Sequence, residues 1–276
     1  MESSKLKNLV LLILIITNLL LGLLMLIQGM TSRQRQAQLL LDAVALLEER
    51  GIAVDPDIIP RADFPPSMTL ERDSDWELEM FSGLLGESTT ATQRGLVSYY
   101  TGELGRSEAR EDGSFTAAFR TVKDSQQAAY GTGSLDQRTH GLDVLKRMGL
   151  EAMVVGEDED TLEVVQLWNG KPVFSCTATL TYEFGCLAEI SGARLTGIPT
   201  AEATQAEPLS IPTLLLRFRS GIIDSGDACS AILSATQGYV LSPGPSGASR
   251  LTPVLRLETD TNLYLVDALT GAISRG

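Results

Sequence analysis

The chain has 276 residues, 43% of them hydrophobic and 21% charged, and a net charge of −13 at neutral pH. A chain of this length carries two or three small folding units with real cores. Acidity on this scale repels nucleic-acid phosphate and anionic lipid beyond contact distance, which argues against a nucleic-acid partner. Residues 1–32 hold only Glu2, Lys5 and Lys7 as charged groups, so the negative surface belongs to residues 33–276.

The run from Leu9 to Ile27 is apolar except for Thr17, Asn18 and Gly22, and it contains no charge. As a helix it spans roughly 28 Å, about the thickness of a bilayer's hydrocarbon, and satisfies its own backbone hydrogen bonds there. Its competitor is a cleaved secretory signal, for which Lys5 and Lys7 make a suitable start. The run exceeds the ~7–15 residues of a signal core and no A-x-A site follows, so an uncleaved anchor over 9–29 is expected. Lys5 and Lys7 on one flank, with a short tail over 1–8, predict a cytoplasmic N-terminus. The reading is therefore a single-pass cell-membrane protein with its large C-terminal region outside the cytoplasm.

Within the anchor, Leu11, Ile15, Asn18, Gly22, Met25 and Gly29 recur at helical spacing and form one stripe that collects the amide and both glycines. Small residues allow close helix approach and a buried amide contributes ~0.6–2 kcal/mol in lipid, so this stripe is the candidate partner-binding face. The plainer alternative is that Asn18 is tolerated in a leucine-rich span.

A juxtamembrane helix over 32–51 comes next, with Ser32 at the N-cap, Ala37, Leu40, Val44 and Leu47 as its apolar stripe, and Gly51 closing it. Pro56, Pro60, Pro65 and Pro66 then mark an extended connector, so 30–66 is helix plus connector. A first α+β unit is expected over 67–135, with a helix around Trp76–Leu85 and strands at 95–100, 106–111 and 114–120, turning at Asp112-Gly113. A second unit, 136–196, has a helix over 136–149 and strands at 151–155, 161–168, 172–182 and 186–190. Along Pro172–Tyr182, Phe174, Cys176, Ala178, Leu180 and Tyr182 share one face and Ser175, Thr177, Thr179 and Thr181 the other. A linker over 197–208 leads to a third unit, 209–276: a helix capped by Ser210 with Pro212 in its first turn, a second helix over 227–236, and a closing hairpin over 252–259 and 263–268. The predicted fold class is α+β: an N-terminal transmembrane helix followed by repeated helix plus antiparallel β-meander units.

The chemistry-bearing residues are few. Cys176, Cys186 and Cys229 are odd in number and lack C-x-x-C spacing, so buried thiols are favoured over a disulfide framework. His140 is the single histidine, so a zinc site or a histidine-based triad would hang on it alone. It is read as an ordinary solvent-edge histidine, with a pH-sensitive contact as the alternative. The run Glu157-Asp158-Glu159-Asp160 lacks the alternating ligand spacing and glycine of a calcium loop, and reads as a solvated hairpin tip. Trp168 and Phe174 beside Asn169-Gly170 read as cross-strand packing. No G-x-S-x-G, H-E-x-x-H or P-loop pattern occurs. No catalytic set, metal site or cofactor is predicted, and the chain is not expected to be an enzyme.

The C-terminal run Thr252–Ile273, TPVLRLETDTNLYLVDALTGAI, resembles the closing hairpin of PepSY-type and YycH/YycI-type domains. Gln237-Gly238-Tyr239 and the short lysine-flanked apolar start are similar to the YycI branch, although Leu255 stands where an aromatic is common. Asp267, Ala268 and Gly271 carry the likeness as hairpin-shaping residues without chemistry. The resemblance implies an anchored regulator of a membrane sensor histidine kinase in a cell-envelope two-component system, acting through transmembrane and outer-domain contacts. Its expected partners are that kinase or a related YycH-like membrane protein, together with the lipid bilayer. The alternative it implies is a PepSY-like envelope factor that binds or inhibits a peptidase, or binds a peptide or wall fragment.

Overall fold

The computed structural model describes residue 14 and residues 17–20, 35–121, 129–201, 206–243 and 248–276. From residue 35 on, the described part holds four α-helices: α1 over 35–48, α2 Ser74–Leu85, α3 Gln137–Arg147 and α4 Ile211–Ser225. Among the described residues, no helix is long and apolar enough to cross a membrane. A span takes ~20 apolar residues, whereas α4 has 15 and carries Arg217 and Arg219. The expected N-terminal transmembrane helix is corrected on that finding. So are the single-pass cell-membrane location, the cytoplasmic N-terminus and the extracytoplasmic domain derived from it. Of the predicted anchor, Leu14 and residues 17–20 are helical and exposed, and the rest lies outside the described residues.

The expectation of repeated helix-plus-meander units is corrected as well, because the described strands join in one mixed sheet. Its larger part is an antiparallel meander built from β3 Thr90–Arg94, β4 Val97–Thr101, β5 Gly105–Arg110, β6 Ser114–Phe119, β7 Ala152–Glu157, β8 Thr161–Trp168, β9 Lys171–Glu183 and β10 Cys186–Ala193. Their spatial order is β3-β4-β5-β6-β10-β9-β8-β7, so strands from both predicted middle units form one continuous surface. At the β8–β9 turn Asn169 and Gly170 have φ of 49° and 72°, the left-handed pair that suits a two-residue hairpin.

The second part combines both ends of the described chain. Its long pair is β12 Ala231–Pro243 against β13 Ser249–Thr259, extended by β14 Leu263–Asp267 and β15 Ile273–Arg275. Strand β1, Ala53–Val54, pairs in parallel with β12, and β2, Met68–Leu70, pairs with β13. β11, Thr200–Ala201, continues that edge beside β2. The expected helix over 227–236 is absent: residues 227–230 are irregular and 231–236 are the start of β12. Its β-branched Ile232 and Thr236 suit a pleated surface, and β1 and β13 supply a partner on each side.

Three apolar clusters hold these parts. Helices α2 and α3 press Phe81, Leu84, Val144 and Leu145 onto Leu162, Leu180 and Ile190 of the meander. Helices α1 and α4 bury Val44, Leu47, Leu215 and Phe218 against Leu255, Leu257 and Val266. A smaller cluster of Met68, Val173, Cys176, Leu195, Tyr239 and Leu251 fills the join. There β12 meets β9 through Tyr239 opposite Val173, and Gly238 makes the approach fit. A Cβ on Gly238 would lie 2.4 Å from the Pro172 carbonyl oxygen and 2.6 Å from the Phe174 ring.

Candidate functional site

The most heavily buried charges form a clamp at the start of α2. Asp73 caps this helix, its side chain accepting from the backbone N–H groups of Asp75 and Trp76. One turn in, Glu77 is fully buried and accepts from Arg194 Nη2 at 2.7 Å, Arg72 Nη2 at 2.9 Å and the Tyr100 hydroxyl at 3.2 Å. Arg72 also donates to Ser98 Oγ, and Arg194 donates to the Leu195 carbonyl while its guanidinium stands 5.2 Å from the Phe81 ring. Burial alone pushes the Glu77 carboxyl upward, but the Arg72 hydrogen bond and the Arg194 charge outweigh it and hold the group below the usual carboxylate range. Each Glu77 oxygen is taken by donors, so the cluster ties α2 to β4 and to the end of β10 and leaves no lone pair for a substrate.

His140 is not at a solvent edge: it is 7% exposed, facing β9 from α3. Its Nδ1 lies 3.1 Å from the Tyr182 hydroxyl, which donates to the Gln137 carbonyl. The hydroxyl has one proton, so in that arrangement Nδ1 carries its own and donates to the tyrosine oxygen. Burial, then the Arg147 charge, lowers the proton affinity of His140. Burial pushes both Tyr182 and Cys176 up to about 12, which leaves the phenol and the thiol protonated and unreactive at neutral pH. Cys186 is likewise buried and free, and Cys229 is half-buried and free.

No group of three or more histidine, cysteine or carboxylate side chains converges on a metal position among the described residues. Glu157-Asp158-Glu159-Asp160 closes the β7–β8 hairpin with all four residues exposed, as expected of a solvated tip. Trp168 and Phe174 are both half-buried but have different partners: Trp168 Nε1 reaches Met68 Sδ at 3.3 Å, and Phe174 lies under Arg256 at 5.3 Å.

What stands open is the other face of the meander. Its register places Tyr99, Glu108, Thr116, Ser191, Thr179 and Glu163 in one row across six strands. The next row is Arg106, Ala118, Glu189, Thr181 and Thr161. Helices α2 and α3 cover the opposite side, so this polar, small-residue face is left to solvent among the described residues. Among the described residues both edges of the meander are also uncovered: there β3 pairs only with β4 and is exposed at every residue, and β7 pairs only with β8. Sequence reasoning missed β3, although Thr90 and Thr92 ahead of the Gly95 turn are its signal. Of the predicted partner face Leu11, Ile15, Asn18, Gly22, Met25 and Gly29, only Asn18 falls among the described residues, helical and exposed.

No protein-family profile and no curated protein matches the chain. Among solved structures it is similar to an uncharacterized protein from Eubacterium rectale ATCC 33656, with 78% of this chain and 86% of that one covered, 12% identity and a TM-score of 0.47.

Proposed function

We propose that this protein is a regulatory binding module that acts by holding a protein partner against the open face of its meander. The sequence resemblance to YycI-type regulators points to a sensor histidine kinase as the partner class. The observation that carries the reading is the one-sided sheet. Eight strands spaced ~4.8 Å apart, the shortest of five residues and the longest of 13, offer at least roughly 600 Å² of flat surface. That is close to the ~800 Å² per partner of a standard protein–protein interface. The placement of the perturbed ionisable groups supports the same reading, since Glu77, Arg194, His140 and Cys176 all point into cores.

The test is made in cells that lack the gene, by resolving the phosphorylated and unphosphorylated forms of each response regulator. Wild-type protein is expected to restore the altered regulator, while the open-face pair Thr116→Arg and Thr179→Arg, which keeps the inner face intact, is not. Full restoration by that variant, or no response regulator altered by the deletion, would overturn the proposal.

A further inference from the structure

We propose that the β7 edge accepts an extended, lysine- or arginine-rich segment of a partner protein by strand addition. This rests on the binding-module reading and assigns it an edge and a chemistry. Two hydrogen bonds fix the phase of the β7–β8 ladder: the Leu167 N–H donates to the Glu151 carbonyl at 2.7 Å, and the Asp158 N–H to the Thr161 carbonyl at 2.9 Å. Hydrogen-bonded and outward-facing residues alternate along an antiparallel pair. Met153 therefore turns its N–H and C=O toward β8, while Ala152 and Val154 turn theirs outward. Val155 lies where the register shifts, so the usable edge is short and ends at that bulge.

The surroundings choose the occupant. Met153 is 44% and Val155 49% exposed, an apolar strip beside the unpaired backbone. Around it stand Glu151, Glu157, Asp158, Glu159, Asp160 and Glu163, and no cation among the described residues pairs with the four carboxylates of the tip. A second copy of the chain fits badly, because antiparallel self-pairing along Ala152–Val154 carries the Glu151 end of one copy toward the acidic tip of the other. Like charges directly opposed destabilise a strand pair. A basic segment reverses that sign, placing cations at the acidic flanks while its backbone pairs with Ala152 and Val154. Backbone bonds supply attraction and the flanks supply selection. The other edge, β3, has Arg94 as its one charged residue and no run of four consecutive carboxylates at either end.

The experiment uses the full chain and a fluorescein-labelled Lys-Val-Lys-Val-Lys-Val-Lys peptide, with the glutamate-for-lysine peptide as its counterpart, read by anisotropy at low and high salt. The lysine peptide is expected to bind at least tenfold more tightly than the glutamate peptide, and to weaken as salt rises. Val154→Pro removes an outward N–H without touching the β7–β8 ladder and is expected to weaken binding tenfold or more. Ala91→Pro on β3 is the control and is expected to leave binding unchanged. Glu157→Lys with Glu159→Lys tests the same site without altering the backbone and is expected to narrow the preference between the two peptides severalfold. Equal binding of both peptides by wild type, or an unchanged preference in the double lysine variant, overturns the assignment. Because the readout is peptide binding, that result leaves the response-regulator test of the open face standing.

Discussion

At the scale of single residues, the chain places charge inside its core where a partner geometry justifies it. Removing one member of a buried ion pair strands the other, which costs about 3–5 kcal/mol. Glu77→Gln is therefore expected to lower the urea midpoint severely, since Arg72 and Arg194 lose their shared carboxylate. Arg72→Met is expected to cost less, because the Arg72 side chain is 20% exposed and Glu77 keeps Arg194. Folding depresses the Glu77 proton affinity, so its contribution is fully present above the ordinary glutamate value near 4.3 and is lost as pH falls through the folded value. His140 acts in the same direction from a different starting point. Folding favours its neutral form, so the stability it contributes is present above about pH 6.5 and declines as pH drops below that. Chemical unfolding at pH 7.5 and 5.5 is expected to show this decline in the wild type and a smaller one in His140→Gln. A stability in His140→Gln that tracks the wild type through that interval would show that another group is responsible. The Glu77 role was not legible in the sequence, where it sits in an ordinary acidic first turn and its partner Arg194 lies far along the chain. For His140, by contrast, a pH-sensitive contact stood as the alternative to the solvent-edge reading.

At the scale of elements, local pattern carried far. Strand β8 runs over the residues its pattern predicted, Thr161–Trp168, and α2 ends just before Gly86 as expected. Along residues 175–182 of β9, Cys176, Leu180 and Tyr182 are buried while Ser175 and Thr177 are exposed, as a period of two predicts, whereas Val173 at the join breaks that period. Pattern failed where a neighbour decided the outcome. Residues 231–236 lie in a strand because β1 and β13 flank them, and neither neighbour is visible in a local window. Gly238 is another such case: the sequence marks it within Gln237-Gly238-Tyr239 but not the close approach it allows where β12 crosses β9. Overpacking a well-filled site costs ~1–3 kcal/mol. Gly238→Ala is thus expected to destabilise by that order, and Gly238→Val by more. Amide hydrogen exchange at Tyr239 and Val173 should rise before exchange deep in the meander. Wild-type protection at both amides in the alanine variant would mean that the join has room to spare.

At the scale of the whole molecule, the arrangement is nested rather than serial. Reading units one after another is the natural result of periodicity, because periodicity shows which face of an element is apolar and not which distant element covers it. Here α1, β1 and β2 complete the C-terminal part, and the chain between them and α4 forms the meander. A fragment beginning at residue 67, where serial units would place a boundary, lacks Leu40, Val44, Leu47, Ile52, Val54 and Ile59 of the second core. Each such side chain contributes ~1.5–3 kcal/mol when fully buried, and together they match or exceed the ~5–15 kcal/mol net stability of a whole domain. The fragment is therefore expected to bind a hydrophobic dye and to be cleaved by protease within β12–β15, while the region over 71–196 stays protected. Supplying residues 35–66 as a separate peptide is expected to restore protection to β12–β15, because the face it covers is already assembled from α4 and β12–β14. Cooperative, dye-free unfolding of the 67–276 fragment without the peptide would mean that the C-terminal part closes its own core and that α1 is an accessory to it.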